Sequence, residues 1–303
     1  MQFKRVKRAI DGVLLLDKPL GLSSNQALQQ VKRLYQAAKA GHTGSLDPLA
    51  TGLLPICLGE ATKFSHFLLD ADKSYRALVN LGSTTTTGDA EGEVLERFGL
   101  SVNQDDVRRV IKQFIGPIQQ VPPMYSALKH QGKALYEYAR DGVDIPRAPR
   151  SVTIFDIEML SFDVTKQQFE MNVVCSKGTY IRTLAEDIGH ALGCGAHLAG
   201  LRRLSTAHFK LQDAFTLEQL EQMSAEQRDN TLLPADAPIV DLPLVELDDD
   251  SAYYLLRGQS VWKSGINITG QFRIYRANGQ FLGLGELDAD GKVAPKRLLV
   301  IKN

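Results

Sequence analysis

The stretch GHTGSLDPLATGLLPICLGEATK, residues 41–63, decides how the rest of the sequence is interpreted. Its first twelve residues form a loop with three glycines, which permit positive φ angles and a close approach of the backbone to a ligand. His42 and Asp47 are the side chains of this loop that can titrate. Asp47 has two interpretations, a functional carboxylate or a helix N-cap, because Asp followed by Pro and a helical pattern is typical of a helix start.

Hydrophobic patterning on both sides of this loop predicts alternating strands and helices. Apolar alternation with β-branched residues predicts strands, and a period near 3.6 residues behind a capping side chain predicts helices. Strands are predicted at 12–19, 74–83, 152–164, 168–175 and 195–209. Helices are predicted after the cap candidates Ser23, Ser24 and Asn25, and over 103–114 and 180–192.

Two segments depart from that alternation. Prolines bracket residues 121–150, where Tyr and Lys/Arg residues alternate, and this pattern predicts a protruding insertion with its own short helix. Residues 211–250 are acidic, and we expect one helix there, followed by a connection rich in Pro and Asp. We place a domain boundary at the end of this block. Residues 1–250 then form the larger domain, and residues 251–303, with short strands and glycine turns, form a small β-rich module.

The formal net charge of the chain is zero, but the charge is unevenly distributed. Residues 1–70, 176–210 and 251–303 carry net charges of +4, +3 and +5, whereas residues 211–250 carry −10. Binding responds to the local field and not to the sum, so these basic blocks fit a nucleic-acid partner. Ordinary solvated faces are the alternative interpretation.

Composition excludes several classes of protein. An apolar fraction of 44% and a charged fraction of 23% are typical of a globular protein. No window approaches the roughly 18 apolar residues of a membrane helix, and the short apolar run near the N-terminus is unlike a signal peptide. Three scattered cysteines argue against a disulfide framework and against structural zinc. We therefore expect a cytoplasmic protein with free cysteines and no membrane association.

Residues 41–63 closely resemble the catalytic motif of the tRNA pseudouridine-55 synthase (TruB) family, and other segments extend the resemblance. They follow that family's motifs in order: DGVLLLDKPLGLSSNQALQQVKRL (11–34), KSYRALVNLGSTTTTGDAEGEV (73–94), VPPMYSALKHQGKALYEYARDG (121–142) and CSKGTYIRTLAEDIGHALGCGAHLAGLRRLSTAHF (175–209). VAPKRLLV (293–300) is similar, less tightly, to the end of the family's C-terminal module. The resemblance covers most of residues 11–209.

This resemblance implies both a fold and an activity. The fold is α/β, of the α+β kind, with a mixed, largely antiparallel central sheet, flanking helices and the catalytic loop at a central cleft. Residues 121–150 would be the family's RNA-gripping thumb, and residues 251–303 a PUA-type RNA-binding module. The activity is isomerisation of a uridine in the T-loop of tRNA, at position 55, to pseudouridine. This reaction is redox-neutral, so no cofactor and no metal are expected. The expected partner is the T-arm of tRNA, with no obligatory protein partner.

The resemblance also implies the catalytic residues. Asp47 matches the family nucleophile and Arg182 the arginine that pairs with it, and a nearby guanidinium would favour the charged form of the carboxyl group. Tyr75 matches the tyrosine that stacks on the flipped base, near the site of proton transfer. Attack by Asp47 on C1′ of the ribose and attack on C6 of the base both stay open. Taken singly, a solvated arginine and a core tyrosine are the plainer interpretations.

Further residues are implied as substrate contacts. Tyr180 matches an aromatic contact, and Leu201 an apolar side chain that closes the pocket. His42 matches the residue that fills the space left by the flipped uridine, a role that suits an imidazole because it can stack on bases. Basic residues near the motifs are candidate phosphate contacts, and each also fits a solvated face: Lys18, Lys63, Lys129, Arg150, Arg202 and Arg203.

Two other functions fit parts of the sequence. A non-catalytic RNA-binding or RNA-folding protein could use the same scaffold, but binding alone requires no nucleophile such as Asp47. A pseudouridine synthase for ribosomal or messenger RNA would share the chemistry. The insertion at 121–150 and the C-terminal module favour tRNA.

Overall fold

The structure, a computed structural model, describes residues 7–99 and 101–300, so Lys4, Arg5 and Lys302 of the basic blocks lie outside the described residues. The strands are β1 (Gly12–Lys18), β2 (Ala40–His42), β3 (Ala50–Leu58), β4 (Lys73–Leu81), β5 (Ser83–Thr85), β6 (Val94–Arg97), β7 (Gly116–Gln120), β8 (Lys129–His130), β9 (Lys133–Ala134), β10 (Arg150–Asp163), β11 (Gln168–Cys175), β12 (Ala196–Thr206), β13 (Phe209–Lys210), β14 (Leu244–Leu247), β15 (Phe272–Arg276), β16 (Phe281–Leu287) and β17 (Val293–Leu298). The helices are α1 (Ser24–Leu34), α2 (Ser65–Leu69), α3 (Gln104–Ile111), α4 (Leu135–Arg140), α5 (Ile181–Ala191), α6 (Leu217–Gln222), α7 (Ala225–Asp229) and α8 (Asp249–Leu255).

A large mixed sheet forms the centre of the molecule. Its strands run in the order β1-β3-β12-β4-β11-β10-β7, with β2 added to β3 and β13 added to β12. Neighbouring strands are antiparallel except β12 and β3, which are parallel. The expected α+β fold with a mixed, largely antiparallel sheet is confirmed.

At strand β1, both faces of the central sheet are buried. Side chains alternate between the two faces of a strand. Leu14 and Leu16 accordingly join the main core, which helices α1, α3, α5 and α6 complete, whereas Val13 and Leu15 join a second cluster on the other face. Burial on both faces explains why the run GVLLL is apolar throughout.

Helix α1 forms where its capping pattern predicts. Ser23 accepts a hydrogen bond from the Gln26 N–H, and the Gln26 side chain accepts one from the Ser23 N–H, which completes a capping box. The helix then buries Ala27, Leu28 and Val31 against the core. Local capping and a single apolar face were enough to locate this helix.

The insertion between β7 and β10, residues 121–149, is a separate small structure that we call the thumb. It contains the two-stranded β8–β9 ladder and the short helix α4, and the predicted helix is therefore confirmed. Many of its side chains are exposed, as a protruding element requires.

One expectation for the acidic block is wrong. Two short helices, α6 and α7, occupy it in place of the single predicted helix. Met223 is extended and ends the first helix, and the Ser224 hydroxyl accepts a hydrogen bond from the Gln227 N–H and caps the second. A second capping box therefore divides the helical pattern.

The C-terminal module is built on a four-stranded sheet in the order β14-β15-β16-β17. Its first strand, β14, lies before the boundary that we placed after residue 250. This strand pairs in parallel with β15, and Val245 and Leu247 are buried in the module's own core. Residues that the sequence assigned to the larger domain therefore contribute to this sheet. No helix in the described ranges is long and apolar enough to cross a membrane.

Candidate active site

A cavity of about 570 Å³ opens beside the loop that joins β2 to β3. Residues drawn from distant parts of the sequence line it: Asp47 from the loop, Tyr75 from β4, Tyr180 and Arg182 from the start of α5, and Leu201 from β12. Its volume falls in the range of about 300–1,000 Å³ typical of small-molecule sites, large enough to admit a nucleobase.

The loop holds Asp47 by its backbone and not by a helix. β3 begins at Ala50, whose N–H donates to the Asp47 carbonyl at 3.0 Å, so the helix-capping interpretation of Asp47 is wrong. The buried Ser24 hydroxyl accepts from the Leu46 N–H at 2.7 Å and fixes the residue before the carboxylate. Gly52 has a φ of +99°, and a Cβ atom there would lie 2.4 Å from the Arg203 carbonyl. A side chain at this position would disturb the pairing of β3 with β12.

Arg182 contacts Asp47 in the lining of the cavity. Its Nη2 lies 3.0 Å from Oδ2 of Asp47, and its side chain is only 6% exposed. The same guanidinium donates to the carbonyls of Thr87 at 3.0 Å and Tyr125 at 2.6 Å. Four groups therefore fix its plane, because a further carboxylate, Asp89, lies 3.5 Å from Nη1.

Asp89 is a buried carboxylate beside Arg182 that the sequence analysis did not identify. Its carboxylate is buried, and it accepts hydrogen bonds from the Thr87 hydroxyl at 2.5 Å and the Glu91 N–H at 3.1 Å. The segment TTTTGDAEGE indicated only a polar turn. Nothing in its spacing shows that this turn folds back onto Arg182, more than ninety residues later.

The electrostatics of Asp47 differ from the expectation. Burial in the cavity raises the pKa of Asp47 above its ordinary value, and Asp89 acts in the same direction. Arg182 and Lys18 lower this pKa, as expected of nearby cations, but burial outweighs them. Asp47 is a carboxylate held beside one guanidinium with its charge incompletely compensated.

Tyr75 is buried in the cavity wall next to a second arginine. Burial raises the pKa of the Tyr75 phenol, and hydrogen bonding to Arg203 opposes the rise. Arg203 is 1% exposed, and it donates to the carbonyls of Leu53 at 2.6 Å and Gly44 at 3.2 Å. The structure contradicts the candidate role of Arg203 as a phosphate contact, since the guanidinium supports the catalytic loop from inside the protein.

Tyr180, which lines the cavity, is hydrogen-bonded to the end of β7, where the thumb begins. The side-chain amide of the buried Gln120, at the end of β7, accepts from the Tyr180 N–H at 3.0 Å and donates to the Tyr180 carbonyl at 3.2 Å. Burial raises the pKa of the Tyr180 phenol, which faces the Ser126 hydroxyl. Tyr180 and Arg182 are therefore both attached to the chain that enters the thumb.

His42 and Lys18 lie outside the described lining of the cavity. Burial and the charge of Arg203 lower the pKa of His42, whose buried Nδ1 atom has no hydrogen-bond partner among the described residues. Lys18 is fully buried and donates to the carbonyls of Pro19 at 2.9 Å and Leu22 at 2.5 Å. Burial lowers its pKa to about 8, although Asp47 opposes this. A buried ammonium with these partners does not suit the predicted phosphate contact.

Lys63 connects the two domains. Its ammonium lies 2.6 Å from Oε2 of Glu60 and donates to the Leu298 carbonyl in β17 at 2.8 Å. This placement explains the basic residue at the end of the 41–63 stretch without a phosphate contact. Of the other candidates, Arg202 pairs with Asp17 at 2.5 Å, whereas Lys129 and Arg150 are exposed.

Metal-binding geometry is not found in the described part of the chain. No group of three or more His, Cys, Asp or Glu side chains is arranged there to hold an ion. The cysteines Cys57, Cys175 and Cys194 are free and buried, as the sequence predicts.

Comparison with known proteins shows which family the chain belongs to. The TruB family pseudouridylate synthase N-terminal domain matches residues 32–181, and two C-terminal domains of the same family match residues 182–240 and 243–299. A tRNA pseudouridine synthase B from Methylobacillus flagellatus is 71% identical over 299 residues, which cover 99% of this chain and 98% of that protein. The chain belongs to the TruB family of pseudouridylate synthases.

Other similar proteins agree with this TruB membership. A tRNA pseudouridine synthase B from Pseudomonas putida is 52% identical, with 98% of each chain covered. A solved Cbf5-Nop10-Gar1 complex contains a chain that is 28% identical, with a TM-score of 0.69 and coverage of 96% of this chain and 84% of that one. An H/ACA RNP bound to a substrate RNA containing 2′-deoxyuridine gives 25% identity, a TM-score of 0.69 and coverage of 96% and 85%.

Proposed function

We propose that this TruB family member isomerises the uridine at position 55 in the T-loop of tRNA to pseudouridine, with Asp47 as the nucleophile on a flipped base. Relatives named tRNA pseudouridine synthase B, at 71% and 52% identity over nearly the whole chain, support tRNA as the substrate. The T-arm as the bound element and the cytoplasm as the place of action belong to the same proposal.

The observation that carries this proposal is the contact between Asp47 and Arg182. Their side chains meet at 3.0 Å on the floor of a cavity whose walls include Tyr75, Tyr180 and Leu201. Binding of RNA alone would require neither a half-exposed carboxylate nor a guanidinium oriented towards it. Covalent catalysis on a glycosidic bond uses such a carboxylate.

Within this proposal each side chain has a role. The ionised carboxylate of Asp47 attacks C1′ of the ribose or C6 of the base, and the bond between C1′ and N1 breaks. The base turns and C5 bonds to C1′. The bond from Asp47 breaks as well, either when C5 displaces the carboxylate from C1′ or when the carboxylate leaves C6 by elimination. The C5 proton leaves to solvent, and N1, which kept the electron pair of the C1′–N1 bond, takes up a proton. Arg182 orients the nucleophile and stabilises its charge whenever it is released.

The aromatic walls hold the base during this rotation. A base that leaves its stack costs a few kcal/mol. Stacking on an aromatic side chain contributes about 1–3 kcal/mol per base, so Tyr75 and Tyr180 can offset that cost. Both phenols are protonated at neutral pH, as an ordinary tyrosine with a pKa of about 10 would be, and burial raises the pKa of each further. His42, as a neutral imidazole, would fill the gap left in the loop.

Tritium release from tRNA carrying uridine labelled at C5 tests this proposal. We expect the enzyme to release one tritium per tRNA and to release none when position 55 is cytidine. An isolated T-arm hairpin should also react, whereas ribosomal RNA hairpins should not. Release that persists in the cytidine-55 tRNA, or an inert T-arm hairpin, would overturn the assigned substrate.

A further inference from the structure

Residues 19–24 lead from β1 into the first turn of α1, and we call them the β1–α1 connection. Their last residue, Ser24, is buried beside the loop that carries Asp47. The Ser24 hydroxyl accepts a hydrogen bond from the Leu46 N–H at 2.7 Å and donates one to the Leu46 carbonyl at 3.1 Å. One hydroxyl therefore holds both backbone polar groups of the residue before Asp47.

The β1–α1 connection also holds the residue after Asp47. The Gly21 N–H donates to the Pro48 carbonyl at 2.9 Å. Proline has no N–H, so its carbonyl is the only backbone group by which a hydrogen bond can fix the chain at this position. Asp47 is therefore flanked on both sides by hydrogen bonds to one earlier segment of the chain.

The β1–α1 connection is itself fixed at both ends. At its start, the buried ammonium of Lys18 donates to the carbonyls of Pro19 and Leu22. At its end, the Ser23 capping box fixes the first turn of α1, whose apolar face packs in the main core. A firm support matters here because a misplacement of a reacting group by about 1 Å can lower a rate by about a hundredfold.

Arg182 is held by other parts of the protein. Its guanidinium donates to the carbonyls of Thr87 and Tyr125, which lie outside the β1–α1 connection. The 3.0 Å contact between Asp47 and Arg182 therefore joins two groups that have separate supports. The distance between these two groups depends on how firmly each support holds.

We propose that Ser24 is a positioning residue for the reaction, because it sets the place of Asp47 relative to Arg182 and to the substrate atom that Asp47 attacks. This inference rests on the proposed function, in which Asp47 is the nucleophile. Ser24 is buried and lies outside the described lining of the cavity, so it acts through Leu46 and not on the substrate.

Displacement of Asp47 would change its ionisation as well as its reach. Arg182 lowers the pKa of Asp47, and a longer distance between the two weakens this effect, so the pKa rises further above its ordinary value. The nucleophile must be ionised, and the acid limb of turnover therefore moves to higher pH. The ionisable groups that interact electrostatically with Asp47 are Lys18, Tyr75, Asp89, Glu91, Tyr180 and Arg182.

Ser24→Ala and Ser23→Ala form a matched pair that separates positioning from stability. Each removes one hydroxyl, and with it a backbone hydrogen bond, at the start of α1, so both should lower Tm by a few degrees. Ser24→Ala alone should lower the rate of tritium release at saturating T-arm hairpin, by about tenfold to a hundredfold. Its Kd for the hairpin should stay close to that of wild type, and its acid limb should lie at higher pH. Ser23→Ala should keep the rate and the acid limb of wild type.

Gly21→Ala tests the support from the other side of Asp47, and it carries the test if Ser24→Ala does not fold. Gly21 has a φ of +82°, a conformation that alanine rarely adopts, and a Cβ atom added there would meet no atom within 4 Å. The substitution therefore displaces the Gly21 N–H without a clash. We expect slower tritium release at an unchanged Kd.

The inference is overturned if Ser24→Ala releases tritium like Ser23→Ala, or if its defect appears in Kd and not in the rate at saturation. Release at the wild-type rate by Gly21→Ala would also contradict it. These outcomes leave the proposed function intact. A wild-type enzyme that releases no tritium from the hairpin would overturn the proposed function, and this inference with it.

Discussion

The 41–63 stretch contains two acidic residues, each paired with a basic residue. The pKa values of the two acidic residues shift in opposite directions. At one end, Asp47 lies 3.0 Å from Arg182, and burial raises the pKa of Asp47. At the other end, Glu60 lies 2.6 Å from Lys63. Burial also acts to raise the pKa of Glu60, but hydrogen bonds from Lys63 and the Val300 N–H outweigh it and lower that pKa.

The difference is one of hydrogen-bond satisfaction. Glu60 is 18% exposed and accepts from an ammonium and a backbone N–H, so its charge is compensated inside the domain junction. The Asp47 side chain is 47% exposed, and the Arg182 guanidinium forms ion pairs with both Asp47 and Asp89. The Glu60–Lys63 pair contacts the C-terminal module through the Leu298 carbonyl, whereas the Asp47 carboxylate stays half-exposed in the cavity.

Among the variants of the residues around Asp47, Arg182→Met should have the largest effect on turnover. It removes the cation shared by Asp47 and Asp89, and we expect turnover to fall by roughly 10³-fold. Loss of one partner from a buried ion pair also destabilises a protein by about 3–5 kcal/mol, so thermal unfolding should be measured with single-turnover tritium release. Arg182→Lys keeps the charge but cannot reach all four acceptors, and an Arg182→Lys enzyme with full activity would contradict this account.

Asp89→Asn tests whether the Asp89 carboxylate contributes to turnover through its contact with Arg182. The amide keeps the size of the side chain but removes the charge that lies 3.5 Å from Arg182. We expect turnover to fall by roughly tenfold to a hundredfold while RNA affinity changes little, because Arg182 is oriented less firmly. Glu158→Gln, on the exposed side of β10, is the control. An unchanged turnover with weaker RNA binding would show that Asp89 acts on the substrate instead.

Local signals in the sequence predicted local structure well. The Ser23 capping box located α1, and the continuous apolar run 12–16 located β1. The same reasoning missed the division of the acidic block at Ser224, where a second capping box starts. Sequence periodicity reports the apolar face of a helix and is less sensitive to where one helix stops and another begins.

Long-range burial could not be predicted in this way. Arg203 and Lys18 are basic residues beside motifs, and surface contacts were the natural expectation for both. Arg203 is buried because β12 pairs with β3 and β4, which places the Leu53 carbonyl and the Tyr75 phenol beside its guanidinium. Lys18 is buried at the end of β1, where its ammonium donates to the carbonyls of Pro19 and Leu22. Asp89 was missed for the same reason. The resemblance predicted that Asp47 is the nucleophile, and only the fold reveals what surrounds this residue.

The pH dependence of turnover should report the raised pKa of Asp47. The nucleophile must be ionised, so activity is lost as pH falls through that pKa, and the raised value moves this acid limb above the ordinary range of Asp. Lys18→Met removes a cation that lowers the pKa of Asp47, and we expect the acid limb to move to higher pH. The control, Lys166→Met, changes an exposed lysine. An acid limb that moves to lower pH in Lys18→Met would contradict this assignment.

The smallest effect is expected at the domain junction. Lys63→Met removes the contacts with Glu60 and the Leu298 carbonyl and should loosen the C-terminal module. We expect KM for full-length tRNA to rise a few-fold, roughly 1 kcal/mol, with no change for a T-arm hairpin too short to reach the module. Lys296→Met, within the module, is the control. Equal effects on both RNAs would show that Lys63 supports the catalytic loop directly.

Single-turnover tritium release by Asp47→Asn at saturating T-arm hairpin tests the central claim most directly. The substitution keeps the shape of the side chain and removes its charge, so the hairpin should bind with an affinity close to that of wild type. The release rate should fall by at least roughly 10⁴-fold. Near-normal release by a folded Asp47→Asn enzyme would contradict the assignment of Asp47 as the nucleophile.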